Sequence, residues 1–160
     1  MFEIRRATRD DAQIAFDIRR LAIRAQCIGP YNQQDMLAWT RGSLNEWFTD
    51  LVQQHFQLVC AQGRVVATGM LDVEVGEIGA IFVHPEFMGR GIGRLLIEHL
   101  EGLALEANLA QIKLDATLNA VAFYRACGFV GEQRSIYQSP SGLQLACVPM
   151  LKVLGQSVRP

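Results

Sequence analysis

Hydrophobic positions along this chain follow two different periods, and the change between them divides it into elements. Phe2 to Ala7 predicts a short opening strand. Thr8-Arg9-Asp10-Asp11 then offers capping residues, and Ile14, Ile18, Leu21 and Ala22 recur at three-to-four spacing, which predicts a helix with one buried face. Gly29-Pro30 ends it. Asn32 to Trp39 and Leu44 to Val52 predict two short helices divided at Gly42.

From Phe56 the pattern turns strand-like. Phe56 to Ala61, Val65 to Val73 and Glu77 to Val83 are apolar runs joined by the turns Gln62-Gly63 and Glu74-Val75-Gly76. Connections this short predict an antiparallel meander. His84-Pro85 stops the third strand, because proline restrains the residue before it and cannot donate to a ladder. A helix follows, with Ile92, Leu95, Leu96, Leu100 and Leu103 on one face and Glu98, Glu101 and Glu106 on the other. Gln111 to Asp115 predicts a strand, and Asn119 to Ala126 a short helix closed by Gly128. Phe129 to Tyr137 and Leu143 to Val153 predict a final hairpin around Ser139-Pro140-Ser141-Gly142. No repeat, low-complexity tract or linker divides the 160 residues, so residues 1–160 read as one domain able to bury its own core.

Composition narrows the function classes. Half the residues are hydrophobic and the net charge is −1, with both signs interleaved. A nucleic-acid surface would need clustered Lys and Arg, so no nucleic-acid partner is expected. No apolar run approaches the ~20 residues of a membrane span, so no membrane partner is expected either. Cys27, Cys60, Cys127 and Cys147 are widely spaced, with no CxxC pair, and no signal peptide is expected ahead of them. Reduced, buried thiols in a cytoplasmic protein are the expectation.

The candidate chemistry begins at Met88-Gly89-Arg90-Gly91-Ile92-Gly93, between a strand and a helix. Glycines let a backbone fold tightly and approach a ligand. The first amides of a helix have no internal partner, and the helix dipole adds partial positive charge, so the segment suits phosphate. Arg90 and Arg94 can add full charges. A Walker loop would need Gly-Lys-Ser/Thr, which is absent. A dinucleotide fingerprint would need a third glycine where Arg94 stands. It should also follow its strand directly, whereas five residues, His84 to Met88, intervene. Asp115 does mimic the acidic ribose ligand of that fingerprint, but the preceding strands form a meander and not a βαβ unit.

Two segments carry a resemblance. Phe82-Val83-His84-Pro85-Glu86-Phe87-Met88-Gly89-Arg90-Gly91-Ile92-Gly93 resembles motif A of the GNAT superfamily of N-acetyltransferases, whose pattern is Gln/Arg-x-x-Gly-x-Gly/Ala. Asn119-Ala120-Val121-Ala122-Phe123-Tyr124-Arg125-Ala126-Cys127-Gly128-Phe129 resembles its motif B, whose Ala-x-x-Phe-Tyr-x-x-x-Gly-Phe core falls on Ala120, Phe123, Tyr124, Gly128 and Phe129, with Asn119 directly before it. Both fall in the family's order and separation, and the order of elements matches over nearly the whole chain. Met88 is a departure: the family usually has Gln or Arg there. The resemblance implies an α/β fold, a mixed and mostly antiparallel twisted sheet of about seven strands with helices on both faces.

It also implies an acetyl-CoA-dependent transfer of an acetyl group to a primary amine by direct attack in a ternary complex. The partners would be acetyl-CoA and an amine acceptor, with a homodimer left open and no metal. Backbone groups of Phe82 and Val83 would pair with the pantetheine arm. The segment Met88, Gly89, Arg90, Gly91, Ile92, Gly93 and Arg94 would hold the pyrophosphate. Asn119 would bond the pantetheine or phosphate region or cap its helix. Tyr124 would touch the cofactor and act as general acid toward the departing thiolate, because a phenol is protonated at neutral pH. Glu77, eleven residues before Met88, would be the general base. Glu74, Asp72 and His84 are alternatives to it. His84 reads as a cap before Pro85, His99 as structural, and His55 has no partner legible in the sequence. Tyr31, Trp39, Trp47 and Phe48 would line the acceptor cleft or fill the core. A different reading keeps acetyl-CoA binding without turnover, as a regulatory module.

Overall fold

A computed structural model describes residues 1–27 and 29–155. Its seven strands are β1 (Phe2–Arg6), β2 (Phe56–Ala61), β3 (Arg64–Asp72), β4 (Glu77–Val83), β5 (Gln111–Thr117), β6 (Ser135–Gln138) and β7 (Gln144–Val153). They form one sheet in the order β1-β2-β3-β4-β5-β7-β6. Every pairing is antiparallel except β4 with β5. Five helices complete the fold: α1 (Ala12–Gln26), α2 (Gln33–Trp39), α3 (Glu46–His55), α4 (Ile92–Glu106) and α5 (Val121–Ala126).

The helices divide between the faces because the strands alternate. On β5, Ile112, Leu114 and Ala116 are buried, while Lys113 and Asp115 face the other way. The buried row joins Leu96, Ile97 and Leu100 of α4 and Tyr124 and Phe129 in the largest core. On the opposite face, Ala15 and Phe16 of α1 and Phe48 and Val52 of α3 pack on Phe56 and Leu58. A third cluster joins Ile23, Cys27, Tyr31 and Met36 to Leu145 of β7. The four cysteines are free and buried. Among the described residues no helix is long and apolar enough to cross a membrane.

Three expectations need correction. The buried face of α1 comprises Ala12, Ala15, Phe16, Ile18, Ala22 and Ile23, whereas Ile14 and Leu21 are exposed. Ile18 and Ala22 are buried as expected, and the stripe is turned away from Ile14 and Leu21. Leu95 is exposed on α4, and Ile97 takes its place in the core. The strand expected from Phe129 is cut to Ser135–Gln138, with Val130 making only an isolated bridge to Leu151. Pro149 of β7, opposite this stretch, has no N–H for a ladder. Gly131 also passes so close that a Cβ there would lie 2.2 Å from the Pro149 carbonyl oxygen.

Asp11 ties β1 to the start of α1. Arg5 donates to both its carboxylate oxygens at 2.9 Å, and the Thr8 amide donates at 2.8 Å. The Arg5 hydrogen bonds, opposed by partial burial and helped by the Thr8 amide, lower the Asp11 carboxyl to about 2. A lowered carboxyl stabilises the fold above its unfolded value near 3.8 and loses that contribution as pH falls toward 2. Asp11→Asn is thus expected to destabilise the protein at neutral pH and to flatten the fall in stability between about pH 4 and 2. Denaturant melts across that window test it; an unchanged pH slope would contradict it.

Candidate active site

The site begins with a break in the sheet. Strands β4 and β5 are paired only at Glu77 and Lys113, where the Lys113 amide donates to the Gly76 carbonyl at 3.0 Å. Beyond that point β4 keeps its antiparallel bonds to β3, through Phe82 to Thr68 and Val83 to Ala67. Its other edge runs free toward β5. An unpaired strand edge is a row of backbone donors and acceptors open to an extended ligand.

A bulge sets what faces this opening. Met70 pairs with Ala80 and Leu71 with Ile78, so Gly79 is the extra residue. A Cβ on Gly79 would lie 2.6 Å from the Met70 Sδ. Across the extra residue, Ile78, Ile81 and Val83 all join the α4 core, and Glu77 and Phe82 both line the cleft, which Ile78 and Ile81 also reach. In a regular strand, residues five apart would point to opposite faces.

Past β4, a 3-10 turn at Pro85–Phe87 leads to the glycine segment. The His84 Nδ1 accepts from the Glu86 amide at 3.1 Å, so His84 caps this turn and not the strand end before it. Gly89 and Gly91 have φ of +78° and +79°, a region open to glycine and strained for most side chains. A Cβ on either would meet nothing within 4 Å, so the loop is open on that side. Helical bonding begins only with the Leu95 amide to the Gly91 carbonyl, at 3.0 Å. The amides ahead of it are free for an anion. Ile92 contributes only backbone, since its side chain is buried in the core. Arg90 is exposed, with its guanidinium 4.9 Å from the Phe87 ring centre. Arg94 instead donates to the Ala126 carbonyl at 3.2 Å, at the end of α5. Met88 is exposed, and Gln26 of α1 donates to its Sδ at 2.6 Å.

Gly93 has a separate duty. A Cβ there would lie 2.9 Å from the Phe123 ring, so it lets α4 and α5 approach. Phe123 is itself held edge-on against Tyr124 at 5.1 Å. Gly93→Ala is expected to cost about 1–3 kcal/mol by overpacking, with Phe123→Leu in the same chain relieving part of it. Thermal melts of the single and double variants test this; equal melting points for Gly93→Ala and wild type would refute it.

The cleft between the sheet and α1–α3 has a volume of about 660 Å³. Glu77, Phe82, Asn119 and Tyr124 all line it. Tyr124 is 7% exposed and stacked edge-on between Phe123 and Phe129. Burial pushes its phenol well above the ordinary value, which keeps it protonated. Asn119 lies in the 3-10 turn Leu118–Ala120 and is exposed; the residue at the α5 N-cap is Ala120, so the capping role does not hold. Of the four aromatics, Tyr31 and Phe48 are buried, Trp39 is half-buried and Trp47 is 56% exposed, and all reach the cleft. The Tyr31 hydroxyl donates to the Ala146 carbonyl and accepts from the Leu118 amide at 3.0 Å. His99 and His55 lie elsewhere, against Gln57 and Asp72.

Sequence reasoning missed Arg19 and Gln26 as cleft residues. A signal existed: seven residues apart, they fall in the middle of the buried α1 stripe formed by Ala12, Ala15, Phe16, Ala22 and Ile23. A cation inside an apolar stripe is the readable anomaly.

A family model described as the acetyltransferase (GNAT) family matches residues 18–129. The chain belongs to the GNAT family. Among GNAT proteins of known structure, a GCN5-related N-acetyltransferase from Rhodopseudomonas palustris superposes with a TM-score of 0.87 at 27% identity, covering 95% of both chains. A probable glucosamine 6-phosphate N-acetyltransferase 2 from Oryza sativa subsp. japonica is 36% identical over 87 residues, covering 48% of this chain and 52% of that protein. The chain therefore spans about half the length of that relative. A peptidyl-lysine N-acetyltransferase from Salmonella typhimurium is 26% identical over 136 residues, covering 84% of this GNAT chain and 88% of the relative.

Proposed function

We propose that this GNAT protein is an acetyl-CoA-dependent N-acetyltransferase acting on a primary amine. The observation that carries the reading is the opening between β4 and β5, with the glycine loop beyond one strand and Tyr124 on the cleft wall. The open loop at Gly89 and Gly91 fits a pyrophosphate, and the free edge at Phe82 and Val83 fits an extended pantetheine arm. Asn119, exposed on the same side, is available to bond it. The thioester supplies an activated acetyl group. Glu77 takes the proton that the attacking amine must shed, directly or through water. The amine nitrogen bonds the acetyl carbon as the carbon–sulfur bond breaks. Tyr124 gives its proton to the departing sulfur, leaving coenzyme A as the free thiol. The free cysteines are consistent with a cytoplasmic setting.

Melting curves with acetyl-CoA, NAD and ATP test the ligand, since affinity for the native state raises the melting point. Stabilisation by NAD and not by acetyl-CoA would overturn the reading. Thiol release with a panel of amines then separates an enzyme from a module that binds without turnover.

A further inference from the structure

The acceptor side of the cleft carries an arrangement of charge that narrows the amine. Arg19 projects from the middle of the α1 stripe into the cleft. One of its Nη atoms donates to the Trp39 carbonyl at 3.3 Å, and the guanidinium lies 5.7 Å from the centre of the Trp39 ring. Among the described residues Arg19 forms no ion pair with a carboxylate. Burial and the neighbouring Arg20 both act against its charge, with only the Tyr137 phenol acting for it. An arginine carries five N–H donors in a planar fork, so most of this fork is unspent. A half-buried cation with no carboxylate beside it is costly, and the Trp39 carbonyl and ring offset only part of that cost.

The opposite wall has the other sign. Glu77 of β4 and Asp115 of β5 line the same cleft, likewise without an ion-pair partner among the described residues. Tyr137 of β6 lines the cleft too: burial raises its phenol most, Arg19 pulls it down, and Asp115 and Glu77 push it up. Its ring is 6.4 Å from that of Trp39. Arg41, from the loop after α2, adds a second cation to the α-helical side.

We propose that the acceptor is an amine that also carries an anionic group, a carboxylate or a phosphate, which Arg19 binds as a fork. The amine end then faces Glu77 and Asp115, and the anion replaces the missing counter-ion of Arg19. This inference rests on the acetyltransferase reading and assigns Arg19 to specificity. A lysine side chain or N-terminus of a protein lacks an anion fixed close to its amine, so either is the competing acceptor.

The test compares matched acceptors by thiol release: glucosamine 6-phosphate against glucosamine, phenylalanine against phenylalaninamide, and a lysine-containing peptide. The phosphate and carboxylate arms identify which anion is read. The expected result is that at least one anionic member exceeds its neutral partner in kcat/KM, mainly through KM. Arg19→Gln should then reduce that preference by about 10–100-fold, in keeping with the strength of charge-assisted hydrogen bonds, and Arg19→Lys should restore part of it. Neither anionic member exceeding its neutral partner, the peptide outrunning both, or Arg19→Gln leaving the preference intact would overturn the proposal. Melting curves with acetyl-CoA on the same samples separate the failures. Without stabilisation the acetyltransferase reading falls; with stabilisation but no anion preference only this inference falls.

Discussion

Gly91→Asp is expected to abolish the thermal stabilisation that acetyl-CoA gives the wild-type protein. Gly91 is the N-cap of α4, and a side chain there would point into space that no protein atom occupies within 4 Å. The folded protein thus has room for a carboxylate, at the cost of a φ of +79°, which aspartate tolerates better than most residues. A pyrophosphate does not tolerate it. Two like charges about 4 Å apart near a protein surface repel by about 4 kcal/mol, which is close to a thousandfold in affinity. At a ligand concentration of ~100 Kd, wild type gains about 2.7 kcal/mol. For a chain of this size that is about 5–10 °C in Tm. The variant should show almost none of this shift while still melting cooperatively without ligand. Gly91→Ala separates strain from charge and should retain part of the shift. An undiminished shift in Gly91→Asp would place the phosphate elsewhere.

Tyr124→Phe is expected to lower kcat by about 10²–10⁴, the usual range for one general acid, with the acetyl-CoA melting shift preserved. The substitution removes a hydroxyl and keeps the ring that packs at 5.1 Å from Phe123 and 5.8 Å from Phe129, so the fold should survive. Burial raises the phenol's pKa, so at neutral pH the proton is in place for a departing thiolate. The rate loss should therefore appear in the chemical step and not in binding. Thiol release under saturating acetyl-CoA measures it. Unchanged turnover would remove Tyr124 from its role and leave it a core aromatic.

Much of the scaffold was legible in the sequence because its signals are local. Phe56–Ala61 and Glu77–Val83 are strands with the expected bounds, since apolar runs between turn residues have few other solutions. The helix after the glycines and the free backbone at its start follow from chain chemistry alone. The open glycine loop was legible for the same reason, because a loop and the helix it opens are contiguous in the chain.

Other parts of the site were not legible, because they are assembled from distant segments. Asn119 reads locally as a cap, yet the chain enters α5 through a 3-10 turn that leaves it facing the cleft. Gly93 reads as part of a phosphate cradle, yet its missing Cβ makes room for Phe123, thirty residues later. The stripe expected from Ile14, Ile18, Leu21 and Ala22 leaves Arg19 off the buried face. The packing of α1 on the sheet turns that stripe, exposes Ile14 and Leu21 and brings Arg19 inward.

The sequence by itself determined most of the strands, the helices and the open glycine loop, since propensity, periodicity and backbone chemistry act over a few residues; Tyr124 was marked only by its resemblance to motif B. Only the tertiary structure decided which charges share the cleft. Glu77 and Phe82 face it together because of one extra residue in β4, and Arg19 stands across from Glu77 and Asp115 because helix and sheet must bury their apolar faces against each other. That second constraint is global, and no window of the chain contains it.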